Sequence, residues 1–268
     1  MQLARVTGFR LVTQRPDRLL RFYEAIGFSI GAEAPISEDE MAMLGVRGAG
    51  RRHTMTLGKT AVDLDWFGEA GRPYPATADA ASRCFQHLAL VTDDIARAWA
   101  IARGAGATSI SRDGPVTLPE SAGGVTAVKF RDPEGHPLEL IHFPAMAGRG
   151  RQGEGVPGID HSAIVATDLA RSRAFYEAMG LTTGDATLNH GDTQAALDGL
   201  DHPRVDVVPM QPAGAPPHVE LLHYQTPAGA DAAAWAVNDV AATRIVWQGV
   251  VPALLRDLDG HLHQIAAG

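Results

Sequence analysis

Phe130-Arg131-Asp132-Pro133-Glu134-Gly135-His136-Pro137-Leu138-Glu139-Leu140-Ile141 is the stretch on which the reading of this chain turns. An apolar run ends at Phe130, residues 132–136 carry turn chemistry, and a second apolar run begins at Pro137. Glu139 sits inside that second run, where a carboxylate is costly to bury unless it is paired or bound to a metal. The turn is echoed near the other end of the chain as Arg256-Asp257-Leu258-Asp259-Gly260-His261. A second echo links Phe22-Tyr23-Glu24-Ala25-Ile26-Gly27 with Phe175-Tyr176-Glu177-Ala178-Met179-Gly180. One pair opens each half of the chain and the other closes it, which is the signature of an internal duplication. The halves fall at residues 1–147 and 157–268, joined by a Gly-rich linker at 148–156 with no periodicity.

Each half divides again. Residues 9–13 read as a strand and 16–26 as a helix with Leu19, Leu20, Tyr23 and Ile26 on one side, stopped by Gly27. Residues 85–91 are strand-like, and Asp93 and Asp94 cap a helix with Ile95, Ala98, Trp99 and Ala102 on one face. Residues 159–165 and a helix after Asp168 repeat the pattern. Strands follow each helix at 54–66, 126–130, 137–143, 204–208 and 219–224. At 243–256 a strand leads directly into another, with no room for a helix. The order predicts an α+β fold of four βαβββ modules, the fourth abbreviated.

Composition narrows the function. The 268 residues are 45% hydrophobic and 20% charged, a balance suited to a globular core. No apolar run approaches a membrane span, which predicts no membrane association. A net charge of -8 argues against a nucleic-acid partner. The single cysteine, Cys84, excludes an internal disulfide and a multi-cysteine metal site. The chain moves from Met1 into strand-like sequence without an apolar signal region, so a cytoplasmic location is expected. The expected partner is a small-molecule substrate, with homodimer formation left open.

With these motifs in place, the sequence resembles the vicinal oxygen chelate superfamily, which includes glyoxalase I, bleomycin-binding proteins and extradiol dioxygenases. The likeness rests on the repeated Phe-Tyr-Glu-Ala motif, on the turn and strand of residues 130–140, and on strand starts such as Asp160-His161-Ser162-Ala163-Ile164. It implies that modules pair into half-barrels around one divalent metal, with ligands on the first and last strand of each module. Carried over residue by residue, the first-strand positions are Gly8, His87, His161 and Arg244. The last-strand positions are Asp63, Glu139, Glu220 and Gln264. Modules two and three thus supply His87, Glu139, His161 and Glu220, a mixed N/O set that suits Zn, Ni, Fe or Mn. An arginine and a glycine cannot hold a cation, so modules one and four are expected to pair without metal, with Asp63 as the charge partner of Arg244.

The two-residue period agrees with this set. It puts His87, Ala89 and Val91 on one face, and likewise His161, Ala163 and Val165. A lone strand histidine is more often a hydrogen-bonded core or surface residue than a ligand. His136 and His261 read as structural parts of the turn, and His142 and His223 point away from their glutamates. His53, His190 and His202 read as polar loop residues, and Cys84 as a packed thiol. Lys129, Arg131 and Arg112 read as surface charges, although each is a candidate for holding an anion.

The resemblance implies a metal-dependent lyase or isomerase of the glyoxalase type, acting on a small chelated carbonyl compound. Either Glu139 or Glu220 would then be the proton-transfer base. The alternatives are a non-haem Fe(II) ring-cleaving dioxygenase and a non-catalytic small-molecule binding protein. Against the dioxygenase, the segments ahead of Glu139 and Glu220 hold no tyrosine. Chain order would pair module one with two and three with four. Pairing two with three gathers all four candidate ligands into one site and is the expected arrangement.

Overall fold

Alternation along the strands explains how each sheet can be buried on both sides. In β5 (Gln86–Val91) every residue is buried. Leu88 and Leu90 join the main apolar core, and His87 and Ala89 face the opposite way. The computed structural model describes residue 3 and residues 5–144, 158–214, 216–229 and 234–267. The Gly-rich linker at 148–156 lies outside the described residues.

Module one comprises β1 (Val6–Val12), α1 (Pro16–Ala25), β2 (Ser29–Pro35), α2 (Glu38–Leu44), β3 (Gly50–Leu57) and β4 (Thr60–Phe67). Module two adds to β5 the elements α3 (Ile95–Gly104), β6 (Thr108–Ser109), β7 (Val116–Thr117), β8 (Thr126–Arg131) and β9 (Pro137–His142). Module three comprises β10 (Gly158–Val165), α4 (Leu169–Ala178), β11 (Thr182–Thr183), β12 (Thr187–His190), α5 (Gly191–Asp198), β13 (Arg204–Gln211) and β14 (His218–Thr226). Module four is reduced to β15 (Arg244–Gly249), β16 (Ala253–Arg256) and β17 (Leu262–Ala267). The α+β architecture and the shortened fourth module match the sequence reading.

Two curled sheets form, each drawing one module from each half of the chain. One runs β11-β13-β14-β10-β5-β9-β8-β6, and the other β16-β17-β15-β1-β4-β3-β2. The first strands meet antiparallel at the centre of each, β10 against β5 and β1 against β15. Module two therefore pairs with three, and one with four. Helices α1, α3 and α4 follow first strands and cover the outer faces. Leu19, Phe22 and Tyr23 of α1 and Tyr176 of α4 enter the same core as Leu88, Phe130, Leu138 and Trp247. Each such side chain contributes about 1.5–3 kcal/mol by leaving water.

The two repeated motifs proved to be halves of one device. Asp132 accepts backbone hydrogen bonds from Glu134, Gly135 and His136, which fixes the turn, and it also accepts from the Tyr23 hydroxyl at 3.0 Å. His136 bonds Asp132 at 2.7 Å and the Val12 carbonyl at 3.0 Å. In the second half Tyr176 donates to Asp257 at 2.7 Å, and His261 bonds the Val165 carbonyl at 3.0 Å. Module one is thus tied to two, and three to four, across the two sheets. His136 and His261 are structural, as expected.

Short helices α2 and α5 have no counterpart in the sequence reading. Ser37 caps α2 by accepting from the Glu40 amide, and Gly45 closes it in the left-handed conformation. His53 lies on β3 and His190 ends β12, so neither is a loop residue. His53 Nε2 lies 3.1 Å from a Glu33 carboxylate oxygen.

Candidate metal centre

His87 and His161 reach the concave side of the ten-stranded sheet from its two central strands. His87 lies opposite Ala163, and His161 opposite Ala89. Glu139 enters from β9 beside Ala89, and Glu220 from β14 beside Ala163. Each alanine flanked by these side chains leaves the space into which they turn. The imidazole centroids are 5.6 Å apart.

Glu139 is the hub. Its Oε2 lies 2.8 Å from His87 Nε2 and 3.8 Å from His161 Nε2. Donor atoms of His87, Glu139 and His161 all fall within 4.8 Å of one another, and all three residues are buried. Glu220 stands just outside this triplet, with its Oε2 3.4 Å from His161 Nε2. The structure therefore gathers all four expected residues, three tightly and the fourth at the edge.

Their hydrogen bonding fits a cation. Neither Nε2, of His87 or of His161, has a hydrogen-bond partner although both are buried, and at His87 the short approach of Glu139 lacks hydrogen-bond geometry. A buried imidazole nitrogen without a partner costs free energy unless its lone pair is used. His161 Nδ1 is hydrogen-bonded to Asp160 at 3.1 Å, an arrangement that orients a ligating ring and fixes its tautomer. His218 approaches Glu220 Oε1 at 3.4 Å in the same supporting sense.

The electrostatics favour positive charge at this point. Burial alone would raise Glu139, but the two histidines and Lys129 hold it well below the usual carboxylate range. Glu220 is lowered against its burial by His161 and His218. Burial pushes His87 down, toward the neutral imidazole a metal requires. His161 is raised well above its ordinary value, because Glu220, Asp160 and Glu139 outweigh its burial.

A cavity of about 280 Å³ opens onto these groups. Leu118, Val125, Ile141, Val207 and Leu222 give it apolar walls. Lys129 forms part of the lining and, contrary to the surface reading, is 4% exposed. It donates to Asp198 at 2.7 Å, and Asp198 also accepts from Gln194 at 2.7 Å and Tyr224 at 3.0 Å. Arg112 does lie at the surface, where it pairs with Asp201. Arg131 is half-buried and bonds the Ala78 and Gly135 carbonyls. A larger cleft of about 510 Å³ between α1 and α3 is lined by Asp93, Asp94 and Arg97 and contains no histidine.

His142 and His223 bond the Thr92 and Ala166 carbonyls on the other face, as expected. The equivalent positions in the seven-stranded sheet hold Gly8, Asp63, Arg244 and Gln264. A side chain at Gly8 would meet the Ala61 carbonyl oxygen at 2.5 Å, so β1 and β4 lie too close for a ligand there. Arg244 is fully buried, but its partner is Asp65 at 2.5 Å rather than Asp63. Asp63 instead faces Arg10 at 3.4 Å and Arg52 at 3.6 Å. Asp65 lies two residues along on the same strand face, and Arg52 also grips it through two bonds, of 2.6 and 2.8 Å.

The profile of the glyoxalase/bleomycin resistance protein/dioxygenase superfamily matches residues 2–140. The chain belongs to that superfamily. Among solved structures it is similar to a glyoxalase I mutant from Zea mays, with a TM-score of 0.63 at 17% identity, covering 98% of this chain and 92% of that one. It is also similar to a putative dioxygenase from Bacillus subtilis, with a TM-score of 0.58 at 14% identity, covering 99% of this chain and 86% of that one. At such identities the likeness concerns the fold. No curated protein matches the chain. Within the superfamily's paired-module architecture, this chain carries its candidate His/Glu cluster on modules two and three. No helix among the described residues is long and apolar enough to cross a membrane.

Proposed function

We propose that the protein is a metal-dependent lyase or isomerase of the glyoxalase type, with His87, Glu139, His161 and Glu220 holding one divalent ion. The observation that carries this reading is the pair of buried histidine Nε2 atoms, both without a hydrogen-bond partner, beside two carboxylates held in their charged form. A divalent ion held there supplies Lewis-acid stabilisation of negative charge developing on a chelated carbonyl oxygen. The chain's own groups divide the remaining work. Glu139 lies between both imidazoles with its side chain 7% exposed, a position suited to a fixed ligand. Glu220 stands at the cavity side with its side chain 17% exposed, and we assign it the proton transfer at the carbon beside the carbonyl. His218 steadies Glu220, and Asp160 holds the ring of His161. The apolar walls exclude water around the reacting carbon.

One observation favours the dioxygenase as a second reading. Tyr224 lines the cavity and His218 adjoins Glu220, so a tyrosine and a further histidine do surround the candidate ligands. Tyr224 donates its hydroxyl to Asp198, however, which occupies its proton.

The test is to load the protein with Zn, Ni, Mn or Fe and incubate it with α-hydroxycarbonyl compounds in deuterated water. Metal-dependent C–H exchange without oxygen uptake is the expected result. Oxygen uptake on catechols with iron alone, and no exchange, would replace this reading with the dioxygenase.

A further inference from the structure

The half-barrel of modules one and four repeats the scaffold of the candidate metal centre with a different set of side chains. At its middle lies Glu40, delivered by α2 rather than by a strand. Glu40 Oε1 accepts from Arg10 Nη1, from Arg52 Nη2 at 2.8 Å and from Gln264 Nε2 at 2.8 Å. Its Oε2 accepts a further bond from Arg52 Nη1 at 3.1 Å. Donors on β1, β3 and β17 therefore converge on a single carboxylate. Fork-shaped guanidinium groups are the chemistry proteins use to recognise planar carboxylates.

A second observation shows donors beyond what Glu40 uses. Arg244 is fully buried, lies 5.8 Å over the Phe67 ring and spends one nitrogen on Asp65, leaving Nε and Nη1 without hydrogen-bond partners. Gln264 Oε1 and Asp63 Oδ1, in the same half-barrel, are also buried without a hydrogen-bond partner. Unpaired buried guanidinium donors are too costly to be explained by a salt-bridge staple alone. Without Glu40, Arg10, Arg52 and Arg244 would face only Asp63 and Asp65, and burial pushes Asp63 toward its neutral form.

We propose that this half-barrel is a binding site for small carboxylates, with Glu40 as a tethered ligand that an external carboxylate replaces. The reading is independent of whether the other half-barrel holds a metal. A tethered carboxylate competes at an effective concentration of about millimolar or above, so the parent protein binds free acetate poorly.

The test uses the full chain with Glu40→Ala, and sodium acetate as the probe against sodium chloride at matched ionic strength. Glu40→Ala is expected to melt below the parent and to regain stability saturably with acetate but not with chloride. Adding Arg52→Met is expected to abolish the acetate response. If Glu40→Ala does not fold on its own, its refolding in acetate against chloride reads the same binding, and line broadening of ¹³C-acetate reports it directly. The acetate line is expected to broaden with Glu40→Ala and not with the parent. Acetate binding no tighter in Glu40→Ala than in the parent, or a response that survives Arg52→Met, would reduce the cluster to a structural staple and overturn the proposal.

Discussion

Glu139 and Glu220 occupy equivalent positions in sequence, yet the proposed function gives them different work. Glu139 approaches the rings of His87 and His161, whereas Glu220 approaches those of His161 and His218 and is the more exposed of the two. Replacing Glu220 with Gln keeps an oxygen ligand but removes the base, and is expected to cost about 10²–10⁴-fold in turnover with metal largely retained. Glu139→Gln is expected chiefly to weaken metal binding, which metal analysis after dialysis would show. Asp160→Asn keeps the shape of its neighbour to His161 but removes its charge. It is expected to weaken metal affinity by about 10–100-fold, measured by competition with a chelator. The four candidate ligand positions were legible because the duplicated motifs align them and because a carboxylate in an apolar strand stands out. Asp160 was not legible. Strict alternation sends it to the face opposite His161, but β10 is irregular between Ile159 and His161, and the bulge brings both side chains together.

Two short helices do for the half-barrels what no strand could. α5 carries Gln194 and Asp198 to Lys129 and Tyr224, and α2 carries Glu40 to Arg10, Arg52 and Gln264. Removing Lys129 would leave Asp198 buried without its counter-charge. Lys129→Met is therefore expected to destabilise the fold by about 3–5 kcal/mol, read from denaturant unfolding. For α2 the prediction concerns acid. Burial raises Glu40, but bonds from Arg52 and the charges of Arg10 and Arg52 hold it at about 2. An unfolded glutamate takes up its proton near pH ~4.3. Between these values the unfolded chain binds more protons, so this contribution is fully present at neutral pH and is lost as pH falls through the window. Unfolding of Glu40→Gln and the parent should differ most at neutral pH and converge toward pH ~2. A constant difference would count against a charged Glu40. Neither helix was read from sequence, because seven or eight residues give too little periodicity. Lys129 was misread as a surface charge for a related reason: its partner lies far along the chain, on an element the periodicity does not reveal.

At the scale of the whole molecule, cross-pairing puts the two modules that carry the candidate ligands in one sheet and the other two modules in the second. The Tyr–Asp–His links at Tyr23, Asp132 and His136, and at Tyr176, Asp257 and His261, hold the two sheets in register. This arrangement was legible in outline, since only pairing two with three unites the four candidate ligands. The filling of the second half-barrel was not. Asp63 and Asp65 lie on the same strand face, and the choice of Asp65 as partner for Arg244 depends on where Arg10 and Arg52 reach from neighbouring strands. The location of a bound ion decides whether His87, Glu139, His161 and Glu220 form a metal centre. Anomalous diffraction from crystals of the full chain loaded with zinc measures it directly. A single strong peak within about 2.0–2.3 Å of the donor atoms of His87, Glu139 and His161, with Glu220 closing on it and none among Arg10, Arg52 and Arg244, is the predicted result. No peak at those four residues, or a peak in the arginine-filled half-barrel, would contradict it.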